Sequence, residues 1–398
     1  MWVCRGDIVA RGFTPKTHRL WPPVDEPHGQ APDADAIAFI QGTCQRLQNE
    51  MLAFGQCQTS PQFDGTLGAL IRCYTTDPDS PYKKLRYCSR LAYDGNLKLL
   101  ERKADRVLAR LTVRDFLRWY DELRDPATPG GTARTYRAHH VMTMLRILLG
   151  FGVAFEIEDV AAGQISQCVR LQTILGELRF ENGIARSEAI TAEQVVALRN
   201  VAHEQGDHSV ALAQAFQFEL VLRQKDVIGE WVPVEEPGLS ATAASGRKWL
   251  YGLRWEEISP DLILTHRMSK SRVGKLLTFN LRNYPMVMEE LARIPVERRS
   301  GPVVLREQDG LPWMARKFSD RWRQLARLAG IPDEVYNMDS RAGGTTETLD
   351  ATDGDLEAAR KQAGHASVTT TQRYSRGALK SNSKIARLRV EQRKKEGA

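Results

Sequence analysis

Residues 181 to 190, Glu-Asn-Gly-Ile-Ala-Arg-Ser-Glu-Ala-Ile, are polar and lack an apolar period, while the sequence on either side is helically patterned. Such a stretch cannot be buried in a helix or strand, so it predicts a boundary between two domains. A chain of 398 residues needs that boundary, because it is too long for one ordinary core. The next helix opens cleanly: Thr191-Ala192-Glu193-Gln194 fits a capping box, and Ile190 and Val195 stand where a hydrophobic staple would fix the direction of the incoming chain.

Upstream, the pattern is helical from Gly65 to about Arg179, with Val141, Met144, Leu145 and Leu148 at the spacing of a buried stripe. Thr112 and Asp115 ahead of Phe116 and Leu117 read as a helix start, and Pro126, Pro129, Gly130 and Gly131 as the loop after it. This predicts a compact bundle of four or five helices over 61–180. Residues 1–60 are an extension in which Pro22-Pro23 and Pro27 to Pro32 punctuate short strands before a helix from about Ala34 to Phe54. Downstream, a second domain over 191–376 is mainly helical. It is interrupted from Trp255 to Leu281, where Leu262-Ile263-Leu264 and Leu276-Leu277-Thr278-Phe279 flank a polar Lys-Ser-Arg-Val-Gly turn. Those runs predict a β-hairpin or small antiparallel sheet. The fold class is therefore mainly α: a helical N-terminal domain, then an α+β domain.

Hydrophobic residues make up 42% and charged residues 26% of the chain, and no apolar run is long enough to span a bilayer. The start, Met1-Trp2-Val3-Cys4-Arg5-Gly6-Asp7, lacks a secretion signal, so a cytoplasmic, reducing compartment is expected. The cysteines show no CxxC spacing and read as free thiols, with no metal site. A net charge of +7 makes a polyanionic partner plausible. The basic excess gathers in the tail, residues 377–398, around Lys380, Lys384, Arg387, Arg389, Arg393, Lys394 and Lys395. A second cluster, Lys83, Lys84 and Arg86 with Arg90, lies at the start of a helix and is a candidate grip on a nucleic-acid backbone, or else a solvated helix face.

The chemistry-bearing run is Gly364-His365-Ala366-Ser367-Val368-Thr369-Thr370-Thr371-Gln372-Arg373-Tyr374, which sets an imidazole nine residues before a phenol. Upstream of it stand Leu222-Arg223-Gln224-Lys225-Asp226-Val227 on a helix expected from Phe216 to Trp231, Lys270 in the hairpin turn, and Ser340-Arg341-Ala342-Gly343-Gly344-Thr345-Thr346. In order and spacing these segments resemble the first arginine box, catalytic lysine, second arginine box, last histidine and tyrosine nucleophile of the tyrosine recombinases, or phage integrases. The resemblance covers residues 65 to 377 and includes the helical segment, which looks like the family's core-binding domain. In one departure, Met338 stands three residues before Arg341, where the family usually has histidine; it reads as a packing residue. In another, the loop Glu235 to Gly246 lengthens the interval between Arg223 and Lys270.

The resemblance implies site-specific cleavage and rejoining of double-stranded DNA through a 3′-phosphotyrosine, without metal or ATP. Tyr374 would be the nucleophile, Arg223 and Arg341 the clamp on the non-bridging oxygens, Lys270 the general acid, and His365 a hydrogen-bond donor or base. Lys275 and Arg272 compete with Lys270. The implied assembly is a homotetramer on paired sites, with the tail around Ile385 and Leu388 packing on a neighbouring protomer and accessory DNA-bending proteins as possible partners. Two alternatives stay open: a DNA-binding protein of the same fold with impaired catalysis, and a relaxing enzyme like the type IB topoisomerases.

Overall fold

The computed structural model describes residues 1–10, 12–20, 34–56, 63–161, 163–183, 186–270 and 275–372. Tyr374, Arg272, the tail 377–398 and the proline-rich stretch 22–32 lie outside the described residues. The chain divides between residues 185 and 186 into two units, inside the polar interval 181–190.

The first unit begins with a two-residue strand pair, β1 (Trp2–Val3) and β2 (Thr17–His18), a short helix α1 (Gly6–Ala10) and a long helix α2 (Ala34–Gln56). Trp2, Ile8, Phe13, Leu47 and Met51 close a small core of their own. A five-helix bundle follows: α3 (Leu67–Thr76), α4 (Tyr87–Leu100), α5 (Val113–Arg124), α6 (Thr135–Ala154) and α7 (Gln167–Glu177). The apolar stripe explains why α6 is central. Val141, Met144, Leu145 and Leu148 are all buried, and each fully buried large aliphatic side chain contributes about 1.5–3 kcal/mol. Helix α5 starts as its sequence suggests, with the Asp115 carboxylate accepting both the backbone N–H and the hydroxyl of Thr112 at 2.9 and 2.8 Å. Lys83 and Lys84 lie in a single 3₁₀ turn before α4 and are exposed, as is Arg86. Arg90 turns back to donate to the carbonyl of Leu85 at 2.8 Å.

The second unit is built around a helix that turns no side to solvent. After α8 (Ala192–Glu204), whose Thr191–Gln194 capping box is formed at 3.0 and 3.3 Å, comes α9 (His208–Glu219), buried from Ser209 to Phe218. A helix buried on every side must be enclosed, and α9 packs against α8, α10 (Gln224–Ile228), α11 (Pro285–Ala292) and α13 (Asp339–Ala351). The strands follow: β3 (Glu230–Pro233), β4 (Ala243–Ala244) and β5 (Arg247–Leu250) form one antiparallel sheet in the order β3-β5-β4. The hairpin β6 (Ile263–Arg267) and β7 (Leu276–Asn280) forms another. Helices α11 (Pro285–Ala292), α12 (Ala315–Leu328), α13 (Asp339–Ala351), α14 (Leu356–Ala363) and α15 (Val368–Gln372) complete it. Among the described residues no helix is long and apolar enough to cross a membrane.

Two expectations are corrected here. The sequence suggests one helix from Phe216 to Trp231, but the chain breaks at Leu220–Arg223, where Val221 takes a left-handed φ of 55°. Leu220, Val221 and Leu222 are all buried, so their apolar run mimics a helix while serving as a corner. The loop Glu235 to Gly246 is likewise no mere insertion, because it contains β4 and turns into β5 through Ser245 and Gly246, both at positive φ, as a tight hairpin demands.

Candidate active site

Arg223 caps the N-terminus of α10 immediately after the strained corner, and its backbone is extended there. Its side chain is mostly covered, with Nη1 3.7 Å from Asp226 Oδ2. Arg341 sits in the first turn of α13 and is only 8% exposed. Its Nη1 donates to the carbonyl of Val221 and its Nη2 to that of Ala363, so one guanidinium ties the α9–α10 corner to the end of α14. A β-branched residue rarely adopts the left-handed conformation, and here the cost is tied to aiming a carbonyl at Arg341.

The glycines of the second arginine box explain how α13 comes so close. A Cβ on Gly343 would collide with the carbonyl oxygen of Ile190, and one on Gly344 with that of Phe218. From below, Gln214 of α9 donates to Ser340 Oγ at 3.0 Å and accepts from the Trp322 indole at 2.8 Å, which fixes the turn that carries Arg341.

His365 follows Gly364, the left-handed cap of α14, where a Cβ would meet Met268 of the hairpin. The imidazole is 3% exposed, with Nδ1 2.9 Å from the Thr371 hydroxyl. Burial, followed by the charges of Arg341, Arg223, Lys275 and Arg360, pushes it down to about 4. It is neutral at pH 7. Arg341 links the two neighbourhoods, since the carbonyls it binds, of Val221 and Ala363, lie two residues before Arg223 and His365 respectively.

Arg223 and Arg341 also line one pocket of about 450 Å³, together with Arg186, Glu188, Lys225, Met338 and Asp339. Arg186 is held at 2.7 Å from Asp339 Oδ2 and stacks 4.2 Å from the Tyr336 ring. Met338 is 59% exposed, which corrects its reading as a packing residue.

The structure thus brings Arg223, Arg341 and His365 together. Lys270 is exposed in the turn after β6, one residue beyond Ser269, and the lysine whose charge reaches His365 is Lys275. Tyr374 lies two residues past the last described position, and Lys83, Lys84, Arg86 and Arg90 belong to the other unit. Sequence reasoning missed Arg186, which stands in a polar stretch without period and leaves no signal. It also missed His266, whose signal was present: on β6 it occupies an inward position between Leu264 and Met268, where an apolar residue is the rule.

No protein-family model matches the sequence, and no curated protein matches it. Solved structures do match in fold. A lambda integrase fragment, solved as a dimer bound to a COC′ core site, superposes with a TM-score of 0.59 at 14% identity, covering 79% of this chain and 97% of that one. A lambda integrase tetramer bound to a Holliday junction gives 0.58 at 14% identity, covering 87% and 88%. The integrase of transposon Tn1549 with transposon right end DNA gives 0.53 at 12% identity, covering 81% and 99%.

Proposed function

The chain has the fold of the tyrosine recombinases, and on that premise we propose that it is a site-specific DNA recombinase that cleaves and rejoins duplex DNA through a 3′-phosphotyrosine at Tyr374. The observation that carries this reading is that Arg223 and Arg341 line one pocket, with Arg341 bonded to the backbone two residues before Arg223 and two before the buried His365. Two guanidiniums side by side repel, and a phosphodiester between them turns that repulsion into attraction, with planar donors suited to two non-bridging oxygens.

In the cleavage step the Tyr374 oxygen attacks phosphorus, the Oη–P bond forms and the P–O5′ bond breaks. The charge that gathers on the non-bridging oxygens falls to Arg223 and Arg341. His365, neutral at pH 7, can take the phenolic proton, and its pKa rises once the phosphate offsets the neighbouring cations. Lys270 gives a proton to the departing O5′. Rejoining reverses these transfers on a new 5′ hydroxyl, and the phosphotyrosine conserves the bond energy. Lys83, Lys84, Arg86 and Arg90 contribute sequence-independent grip on the backbone, and four protomers assemble on paired sites.

The test is covalent trapping. Nicked duplexes drawn from a randomised pool lose the short cleaved fragment, so a tyrosyl adduct accumulates and survives denaturation. The expected result is an adduct restricted to related sequences and absent from Tyr374→Phe. Adducts without sequence preference would favour a relaxing enzyme instead, and sequence-selective binding with no adduct would leave a binding protein with impaired catalysis.

A further inference from the structure

Beneath Arg223 lies a buried line of charges that the cleavage step does not use. Asp226, 0% exposed, accepts the Ser269 N–H on Oδ1 at 2.7 Å, and its Oδ2 faces Arg223 Nη1 at 3.7 Å. His266, 2% exposed, stands on the other side of that carboxylate, with Nε2 3.9 Å from Asp226 Oδ1, an ion-pair distance rather than a hydrogen bond. Its Nδ1 lies 3.0 and 3.1 Å from the two carboxylate oxygens of Glu257, which also accepts the Arg254 N–H at 2.9 Å. Arg223 Nη1, Asp226 Oδ2 and His266 Nε2 are buried and make no hydrogen bond.

Charge balance decides the state of this line. With a neutral imidazole, two carboxylates would face one guanidinium around the buried Asp226; with an imidazolium, two cations alternate with two anions. The charged form is therefore the one the geometry selects, and burial, which opposes it, is outweighed by Asp226 and Glu257, so His266 is raised to about 9. Asp226 is lowered: its own burial is outweighed by His266 and Ser269.

We infer that His266 is a positioning residue for strand cleavage: clamped between Glu257 and Asp226, it holds the Asp226 carboxylate on the Ser269 N–H, and so sets where Lys270 begins. The inference rests on the recombinase reading above. His266 acts only through Asp226 and the hairpin. From β7 its cross-strand partner is the buried Leu277, and Met268, just past the end of β6, is buried as well.

The test separates position from folding by changing the leaving group. Two nicked duplexes recovered by covalent trapping are compared, one with the ordinary oxygen at the scissile 5′ position and one with sulfur there. A thiolate departs without a proton, so sulfur removes the need for Lys270. The expected result for His266→Gln is adduct formation slowed about tenfold or more on oxygen yet within about twofold of wild type on sulfur, the pattern of Lys270→Ala. Glu257→Gln carries the same comparison should His266→Gln fail to fold. Equal slowing on both substrates would reduce His266 to a structural role, and wild-type rates on both would leave it with none; either overturns the inference alone. A wild-type protein with no Tyr374-dependent adduct would overturn the recombinase reading and this inference with it.

Discussion

Two imidazoles flank the candidate site at equal depth, 2% and 3% exposed, yet they are held in opposite protonation states. His266 lies between the carboxylates of Asp226 and Glu257 and is raised to about 9, whereas His365 lies among Arg341, Arg223 and Lys275 and is pushed down to about 4. Burial penalises the imidazolium in both places, so the sign of the neighbouring charges decides the outcome. The division suits the chemistry proposed above. A cation is useful where carboxylates must be kept in place behind the site, and a neutral base is useful where a phenol must lose its proton.

The comparison breaks most completely at Arg341. Removing its guanidinium takes the leading cation from His365, deletes the ties to Val221 and Ala363, and strips half the phosphate clamp. Arg341→Ala should slow adduct formation by about 100- to 1,000-fold while leaving DNA binding nearly intact, because most backbone contacts lie elsewhere. NMR titration should show His365 moving back up toward 6.5 with His266 unmoved. Cleavage at the wild-type rate would refute the assignment of the second arginine. Arg341→Lys keeps the charge but cannot reach both carbonyls in one plane, and should recover little of the loss.

A smaller effect follows from linkage. His365 is depressed in the folded state, so its contribution to stability is present above 6.5 and is lost as pH falls toward 4. His266 is raised, so its contribution is complete below 6.5 and is lost as pH rises through about 9. Stability should therefore peak near pH 6.5, each limb carrying on the order of a few kcal/mol. Denaturant unfolding across this range checks both signs, and His266→Gln should flatten the alkaline limb only. A flat profile in the wild type would mean that neither ring differs from the unfolded chain.

Much of this arrangement was legible because local rules and tertiary structure agree. The capping box at Thr191 and Gln194, the stripe through Val141 and Leu148 and the hairpin around Lys270 each follow from neighbours within a few residues. What escaped depends on distant partners. The corner at Val221 exists because its carbonyl meets Arg341, 120 residues on, and no local pattern encodes that contact. Strands β3 and β5 were hidden by the Ala/Ser/Gly-rich segment between them, whose Ser245-Gly246 turn was their best signal. Arg186 reaches the pocket through Asp339, 153 residues away in sequence. The ordering of the arginine boxes was readable, but that the charge of Lys275 helps to lower His365 was not.

The smallest expected effect concerns the position that departs from the family pattern. Met338 lines the pocket with both arginines but is 59% exposed, so replacing it disturbs little packing and should shift stability by no more than about 0.5 kcal/mol. Met338→His would place a ring in the pocket lined by Arg223 and Arg341, able to offer an N–H to a non-bridging oxygen. A single hydrogen bond to a charged group contributes about 1.5–3 kcal/mol, of which solvent at this exposed position removes a large share. The expected gain is therefore a rise in adduct formation of about threefold to tenfold, visible in single-turnover trapping. An unchanged rate would mean that the missing donor is already replaced within the pocket. Arg186 is the candidate, since its guanidinium lines the same cavity. In that case Arg186→Ala should slow cleavage, and Met338→His should restore it in the double variant.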